Sequence, residues 1–201
     1  MSIATVDFSG YNNAPVMNYP APQEMKVLDL SDGMDEEYIR SFEWGIGKYN
    51  EKRQGMYTAS QFGGTRNIHM GIDIWTQEGR PVFSFYDGTV IYKNNNDRPG
   101  DYGPTLVLKH QLEFITYYAL YGHLSEMTLQ NIEEGEEVKM GQQIGTLGTE
   151  NENGDWPPHL HFQLSNRDPG QADMPGVVAE EEHEEALDIY PDPRKVLGPL
   201  Y

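Results

Sequence analysis

The strongest constraint on the fold of this chain is a two-residue alternation in segments that also carry histidine. In residues 68–75, IHMGIDIW, aliphatic residues occupy every second position, while His69 and Asp73 fall on the other set. Successive side chains of a strand point to opposite faces, so His69 and Asp73 are expected to share one face. A helix would also bring these two together, but the internal Gly71 and the β-branched neighbours favour a strand.

Two further segments show the same alternation. In residues 158–164, PHLHFQL, His159 and His161 are two positions apart and apolar residues fill the intervening places. A third segment ends in a single histidine, and its expected common face comprises Tyr117, Ala119, Tyr121 and His123. We therefore expect three strands, each presenting histidine from one face.

Histidine and aspartate in this arrangement indicate metal chemistry. A catalytic zinc ion takes three such protein ligands and keeps a fourth position for water, and hydrolytic sites also need nearby titratable groups. Each motif alone is a weak signal in a chain with six histidines, so the combination on strand-like segments carries the interpretation. His110 and His183 lie outside these motifs and are expected to have structural roles.

The order of the motifs, His-x-x-x-Asp, then Gly-His, then His-x-His, resembles the lysostaphin/LytM-type zinc metallopeptidases. The resemblance covers roughly residues 55–165, and the segments 79–82, 87–90 and 135–145 match the strand and turn signals of that family. It implies a mainly β fold with an antiparallel β-sheet core, of the duplicated hybrid motif kind. It also implies hydrolysis of a peptide bond in glycine- or D-alanine-containing peptides, such as peptidoglycan crosslinks.

The resemblance further implies a role for each motif residue. One Zn²⁺ would be held by His69, Asp73 and His161, with His159 as general base and His123 orienting the water or stabilising the oxyanion. Every metal and catalytic position of the family pattern is filled. Four residues are candidates for the substrate groove, with packing or surface roles as the alternative: Arg66, Tyr57, Tyr102 and Trp156.

The sequence divides into three predicted regions. Residues 1–50 form an N-terminal extension with a helix near 33–44, capped by Ser31 or Asp32. Residues 51–168 form the metallopeptidase domain. Residues 169–201, acidic and containing proline, are expected to pack on that domain as an irregular segment.

Composition limits the partners and the compartment. A net charge of −18 argues against nucleic acid, and the absence of cysteine excludes disulfides and thiolate zinc sites. No stretch is long and apolar enough to span a membrane. Residues 1–20 carry no Lys or Arg and no long apolar run, so the sequence as it stands predicts a cytoplasmic protein, or a periplasmic or secreted one if a signal peptide has been removed.

A second function class therefore stays open beside the peptidase. The same fold and metal site would suit a cytoplasmic accessory module that binds or acts on a non-murein small peptide or a protein partner. The sequence leaves the oligomeric state open.

Overall fold

Eight strands build the main sheet in the computed structural model, which describes residues 12–112 and 114–201. Across the sheet the order is β1-β2-β4-β11-β8-β7-β6-β9, and two small sheets pair β10 with β5 and β12 with β3. The strands are β1 (Lys26–Val27), β2 (Gly45–Gly47), β3 (Ile68–His69), β4 (Ile72–Trp75), β5 (Pro81–Phe83), β6 (Gly88–Asn96), β7 (Gly103–Leu112), β8 (Ile115–Gly122), β9 (Glu137–Val138), β10 (Gln143–Thr146), β11 (His159–Ser165) and β12 (Val177–Val178). All of the strand pairs are antiparallel except β1 with β2. The predicted mainly β, antiparallel fold is confirmed.

Strand β11 is the centre of the arrangement because it pairs with β4 on one side and β8 on the other. His161 lies opposite Asp73 of β4 and opposite Gly122 of β8, and His159 lies opposite Trp75. This register brings segments that are about ninety residues apart in sequence into direct contact.

The alternation seen in the sequence separates a buried apolar face from a polar face. Leu160, Phe162 and Leu164 of β11 and Ile72 and Ile74 of β4 are fully buried in one hydrophobic cluster. Burial of such side chains contributes about 1.5–3 kcal/mol each relative to exposure. The intervening residues of these two strands are thereby directed to the opposite side of the sheet.

The expectation of a single strand over residues 68–75 is wrong in one respect. The chain forms two short strands, β3 and β4, separated at Met70 and Gly71, and β3 pairs with β12 outside the main sheet. The break occurs where the ring of His161 fills the space that a side chain on Gly71 would need. The aliphatic positions are buried as expected, including Ile68 and Met70 in a separate cluster.

Within the described residues, the α-helices have the bounds α1 (Glu36–Arg40), α2 (Glu126–Asn131), α3 (His183–Ile189) and α4 (Arg194–Leu197). The helix predicted near residues 33–44 is present as α1 but is shorter. Its cap is Asp35, whose side chain accepts a hydrogen bond from the Tyr38 amide at 3.1 Å, rather than Ser31 or Asp32. Gly33, which lies between these two residues and α1, has φ +110° and is itself outside the helical conformation.

Both terminal segments contribute to the packing of the sheet. Val16 and Met17 are fully buried in the main hydrophobic cluster. Val196 and Leu200 belong to the same cluster, and only a few per cent of their surface is exposed. The segment expected to be irregular after residue 169 contains β12, α3 and α4. Residues 1–11 of the predicted N-terminal extension lie outside the described residues, and the proposed boundaries at 50 and 168 stay predictions.

No helix among the described residues combines the length and apolar character needed to cross a membrane.

Candidate metal centre

Three side chains from β3, β4 and β11 converge on a single point. His69 Nε2 lies 3.1 Å from His161 Nδ1 and 3.2 Å from Asp73 Oδ1, and His161 Nδ1 lies 3.0 Å from the same oxygen. Ligands bound to zinc at about 2.0–2.1 Å occupy tetrahedron corners about 3.3 Å apart. The three atoms are therefore spaced as three corners of such a tetrahedron.

The tautomers of the two histidines fit the same conclusion. His69 Nδ1 is 2.9 Å from the Lys48 carbonyl oxygen and His161 Nε2 is 3.0 Å from Gln163 Oε1, so each of these nitrogens donates its proton to an oxygen. A neutral ring carries one proton, which leaves lone pairs on His69 Nε2 and His161 Nδ1. Two lone pairs and a carboxylate oxygen aimed at one point are a donor set for a cation, so the residues fit a metal ion.

Burial and charge keep His69 and Asp73 in their metal-binding protonation states. His69 and Asp73 are each 2% exposed, and burial, assisted by Arg53, lowers the pKa of His69 to about 4. Burial acts in the opposite direction on Asp73, but neighbouring positive charge, including the Arg53 guanidinium that donates to Oδ2, outweighs it and holds the pKa of this carboxyl well below its usual value. A neutral imidazole and an ionised carboxylate are the forms that bind metal.

His159 lies beside the ligand atoms without being one of the three. Its Nε2 is 3.8 Å from Asp73 Oδ1, while its Nδ1 donates to the Pro157 carbonyl oxygen at 2.8 Å. The ring is stacked on Trp75, with centroids 3.9 Å apart and planes 20° apart. Burial lowers the pKa of His159 to about 4, so the ring is neutral with a free lone pair on Nε2.

His123 reaches the site through a turn rather than through the strand. Strand β8 ends at Gly122, and His123 has φ +61°, in the left-handed region that few non-glycine residues adopt. The expectation that His123 shares a strand face with Tyr121 is therefore wrong. Tyr121 belongs to the apolar core, whereas the ring centroid of His123 lies 4.1 Å from that of His159. Such strained conformations are concentrated at functional sites.

A hydrogen bond from the ring also fixes the tautomer of His123. Its Nδ1 donates to the Asn153 carbonyl oxygen at 2.8 Å, which leaves the lone pair on Nε2. Burial and the neighbouring His159 lower the pKa of His123 well below its ordinary value.

The centre lies in a cleft of about 530 Å³ that also contains the four residues proposed for the substrate groove. Tyr57 accepts a hydrogen bond from Arg53 Nη1 at 2.8 Å, and Trp156 packs edge-on to both Tyr57 and His159. Tyr102 is 8% exposed and donates its hydroxyl proton to the Met174 carbonyl oxygen at 3.0 Å.

Arg66 is the most exposed of the four. Its Nε lies 3.7 Å from Glu182 Oε2, and 43% of its side chain is exposed.

Sequence reasoning missed the residues that hold the ligands in place. Gln163 follows the His-x-His motif by two positions on the same strand face, so its period-two placement could have indicated it. Arg53 has no comparable signal because it lies outside every motif, yet its Nη1 is 2.8 Å from Asp73 Oδ2. The carbonyl acceptors of Lys48, Asn153 and Pro157 belong to the backbone and depend on the tertiary structure alone.

The two remaining histidines lie away from the centre. His110 is fully buried against Phe85, and His183 Nε2 is 2.6 Å from Asn50 Oδ1 at the surface. Among the residues that the structure describes, the one group of three or more side chains with metal-binding geometry is His69, Asp73 and His161.

Comparison with known proteins gives a consistent family assignment. Residues 67–173, just over half of the chain, match the sequence profile of Peptidase family M23. The lipoprotein NlpD/LppB homolog of Pseudomonas aeruginosa is 34% identical over 104 residues, which are 52% of this chain and 31% of that protein. The murein hydrolase activator NlpD of Escherichia coli is 33% identical over 103 residues, 51% of this chain and 24% of that protein. The chain thus spans less than a third of the length of these two relatives.

Among solved structures, the catalytic domain of lysostaphin from Staphylococcus simulans is similar to this chain. The identity is 21%, the TM-score is 0.47, and the match covers 75% of this chain and 98% of that domain.

Proposed function

The chain belongs to peptidase family M23, and on this premise we propose that it is a zinc-dependent endopeptidase. The proposed substrate is a peptide bond in glycine- or D-alanine-containing peptides such as peptidoglycan crosslinks. The observation that carries the proposal is the convergence of His69, Asp73 and His161 within 3.2 Å, beside two further imidazoles whose Nε2 lone pairs are free.

The three ligands would hold one zinc ion by His69 Nε2, Asp73 Oδ1 and His161 Nδ1. When bound, zinc acts as a Lewis acid that polarises a carbonyl group and lowers the pKa of water toward neutrality. The ligand rings are oriented by the oxygens of Lys48 and Gln163, so their lone pairs point to the metal position before it is filled.

His159 is the proposed general base. Its Nε2 has a lone pair because Nδ1–H is committed to the Pro157 carbonyl, and stacking on Trp75 limits rotation of the ring. A base in this position takes a proton from the attacking water and returns it to the leaving amine.

His123 is proposed to orient the water. Its neutral ring donates through Nδ1 to Asn153, so Nε2 accepts a hydrogen bond from water rather than donating one to an oxyanion. Tyr57 is the better candidate for that donation, because its hydroxyl accepts from Arg53 and has its own proton left for the cleft.

A second candidate function is an accessory role, as an activator or a binding module rather than a hydrolase. It is favoured by the name of one relative, a murein hydrolase activator with 33% identity over 103 residues. Another relative is named a lipoprotein, and together these names favour the periplasmic alternative for the compartment over the cytoplasmic one.

Turnover assays on two substrate panels, crosslinked muropeptides and glycine-rich peptides, distinguish the two functions. The wild-type protein should cleave at least one panel, and His159→Ala should lose cleavage by about 100-fold or more while still binding zinc. His183→Ala, which changes a surface histidine, is the matched control and should cleave like wild type. Failure of the zinc-loaded wild type on both panels would refute the endopeptidase, and retained cleavage by His159→Ala would refute the assignment of the base.

A further inference from the structure

The side chain of Arg53 is fully buried, and its guanidinium group contacts the proposed metal ligand Asp73. We propose that Arg53 is a positioning residue that holds Asp73 Oδ2, so that Asp73 presents Oδ1 alone to the metal. This inference rests on the proposed metal centre, but it concerns how the chain prepares that centre rather than which bond is cleaved.

The guanidinium group of Arg53 binds Asp73 and Tyr57 through Nη1 and Glu51 through Nε. Nη1 donates to Asp73 Oδ2 at 2.8 Å and to the Tyr57 hydroxyl at 2.8 Å, while Nε donates to Glu51 Oε2 at 3.0 Å. A planar fork with fixed donor directions can satisfy such a set, whereas the single ammonium of lysine cannot. Arg53 thus connects a metal ligand to a residue of the cleft wall.

Glu51 serves as the anchor that orients the arginine. It is 7% exposed and its other oxygen, Oε1, accepts from the Leu30 amide at 3.2 Å and from Lys48 Nζ at 2.8 Å. With its own charge already paired by Lys48, Glu51 does not need Arg53 for neutralisation. The bond from Nε to Glu51 therefore holds the guanidinium group with Nη1 directed toward Asp73.

The backbone leaves room for this contact at one glycine. Gly47 of β2 lies opposite Asp73 of β4, and a Cβ on it would be 2.7 Å from Arg53 Nη2 and 3.0 Å from Asp73 Oδ2. A side chain at this position would push apart the two groups that Arg53 brings together. The strand neighbouring the ligand strand is thus shaped for the Arg53–Asp73 contact.

The division of the carboxylate follows from these contacts. Asp73 Oδ1 lies 3.0–3.2 Å from the two ligand nitrogens, and Oδ2 faces Arg53 on the other side. Without the arginine, the carboxylate group of Asp73 would be free to rotate, or Oδ2 could become a second oxygen ligand. Outer partners of this kind typically contribute about 10–100-fold to metal affinity.

The test measures zinc affinity by competition with a chromophoric chelator, together with the visible absorption of the cobalt-substituted protein, which reports coordination number. Arg53→Met should bind zinc about 10–100-fold more weakly and should shift the cobalt spectrum toward higher coordination. Arg53→Lys keeps the charge, so its affinity should lie between those of wild type and Arg53→Met.

Gly47→Ala provides a variant with unchanged charge. Its added methyl group displaces Arg53 from Asp73, so zinc should again bind more weakly. Arg194→Met is the matched control because Arg194 pairs with Asp192 at 2.7 Å, and its loss removes an Arg–Asp pair without touching Asp73. Its zinc affinity should equal that of wild type.

The outcomes separate this inference from the proposed function. Wild-type affinity and an unchanged cobalt spectrum in folded Arg53→Lys and Gly47→Ala would overturn the positioning role, as would an equal loss in Arg194→Met. A wild type that binds zinc but cleaves neither substrate panel would overturn the endopeptidase and leave the role of Arg53 to be decided by affinity. A wild type that binds no zinc would overturn both.

Discussion

His69 Nε2 and His161 Nδ1 face each other across 3.1 Å, and the tautomers that donate from the other ring nitrogens to the oxygens of Lys48 and Gln163 leave both facing nitrogens without a proton. Two lone pairs at this distance repel each other and gain nothing from the contact. The sheet imposes the geometry through the register of His161 with Asp73 and through the packing of both strands on the apolar core. Part of the folding free energy is therefore used to prepare a cation site.

Gly71→Ala should disturb this pair directly. An added Cβ would lie 2.6 Å from the His161 ring and 2.9 Å from the Phe162 carbonyl oxygen, so the ring must move away from the position it shares with His69. We expect zinc affinity to fall by about 10-fold or more, measured by chelator competition. Gly135→Ala is the control: at φ +88° with open space around it, it should lower the melting temperature without changing zinc affinity.

Gln163→Leu should weaken zinc binding by removing the acceptor that fixes the His161 tautomer. Gln163 is fully buried; its Oε1 accepts from His161 Nε2 at 3.0 Å and its amide nitrogen donates to the Pro175 carbonyl. Loss of such a partner typically costs about 10–100-fold in metal affinity. Gln163→Glu retains an acceptor and should lose less; equal affinities for the two variants would contradict the tautomer argument.

The sequence predicts the chemistry of the site better than its geometry. Alternation identified the faces of β4 and β11, because burial of aliphatic residues at every second position leaves the polar positions on one side. It misplaced His123, since a left-handed turn after β8 moves this residue away from the core face of Tyr121. That turn depends on contacts between His123 and distant segments, such as the bond from its amide to the Tyr102 carbonyl at 2.8 Å.

Arg53 and the carbonyl acceptors illustrate what local patterns cannot predict. Arg53 has neither a periodic position nor a motif, and its function depends on β2 presenting a glycine opposite Asp73. A sequence of this composition would lead one to expect an arginine at the surface. Tertiary packing alone identifies it as buried and paired.

Tyr57→Phe and Tyr102→Phe should separate a catalytic hydroxyl from a structural one. Tyr102 donates its proton to the Met174 carbonyl oxygen at 3.0 Å, so its loss should lower the free energy of unfolding by about 1 kcal/mol and leave kcat near wild type. Tyr57 accepts from Arg53, so its proton can stabilise the oxyanion, and its loss should lower kcat by about 100-fold. Steady-state kinetics and urea denaturation of both variants check the contrast, and the reverse pattern would exchange the two roles.

His110 should make the stability of the protein depend on pH below neutrality. It is fully buried, its ring packs on Phe85 at 4.3 Å between centroids, and burial lowers its pKa from 6.5 to about 4. Above pH 6.5 neither the folded nor the unfolded state protonates this group, and its contribution to stability is complete. As the pH falls from 6.5 toward 4, the unfolded state binds a proton that the folded state excludes, so the free energy of unfolding decreases.

At about 1.4 kcal/mol per pKa unit, the total effect of His110 is roughly 3 kcal/mol by pH 4. His110→Gln should therefore show a flatter decline than wild type between pH 6.5 and 4, measured by urea unfolding at several pH values. Chelator is present in both series, so that the histidines of the metal centre contribute equally to the two proteins and cancel in the difference. Parallel curves for the two proteins would show that His110 takes up its proton as readily in the folded state as in the unfolded state.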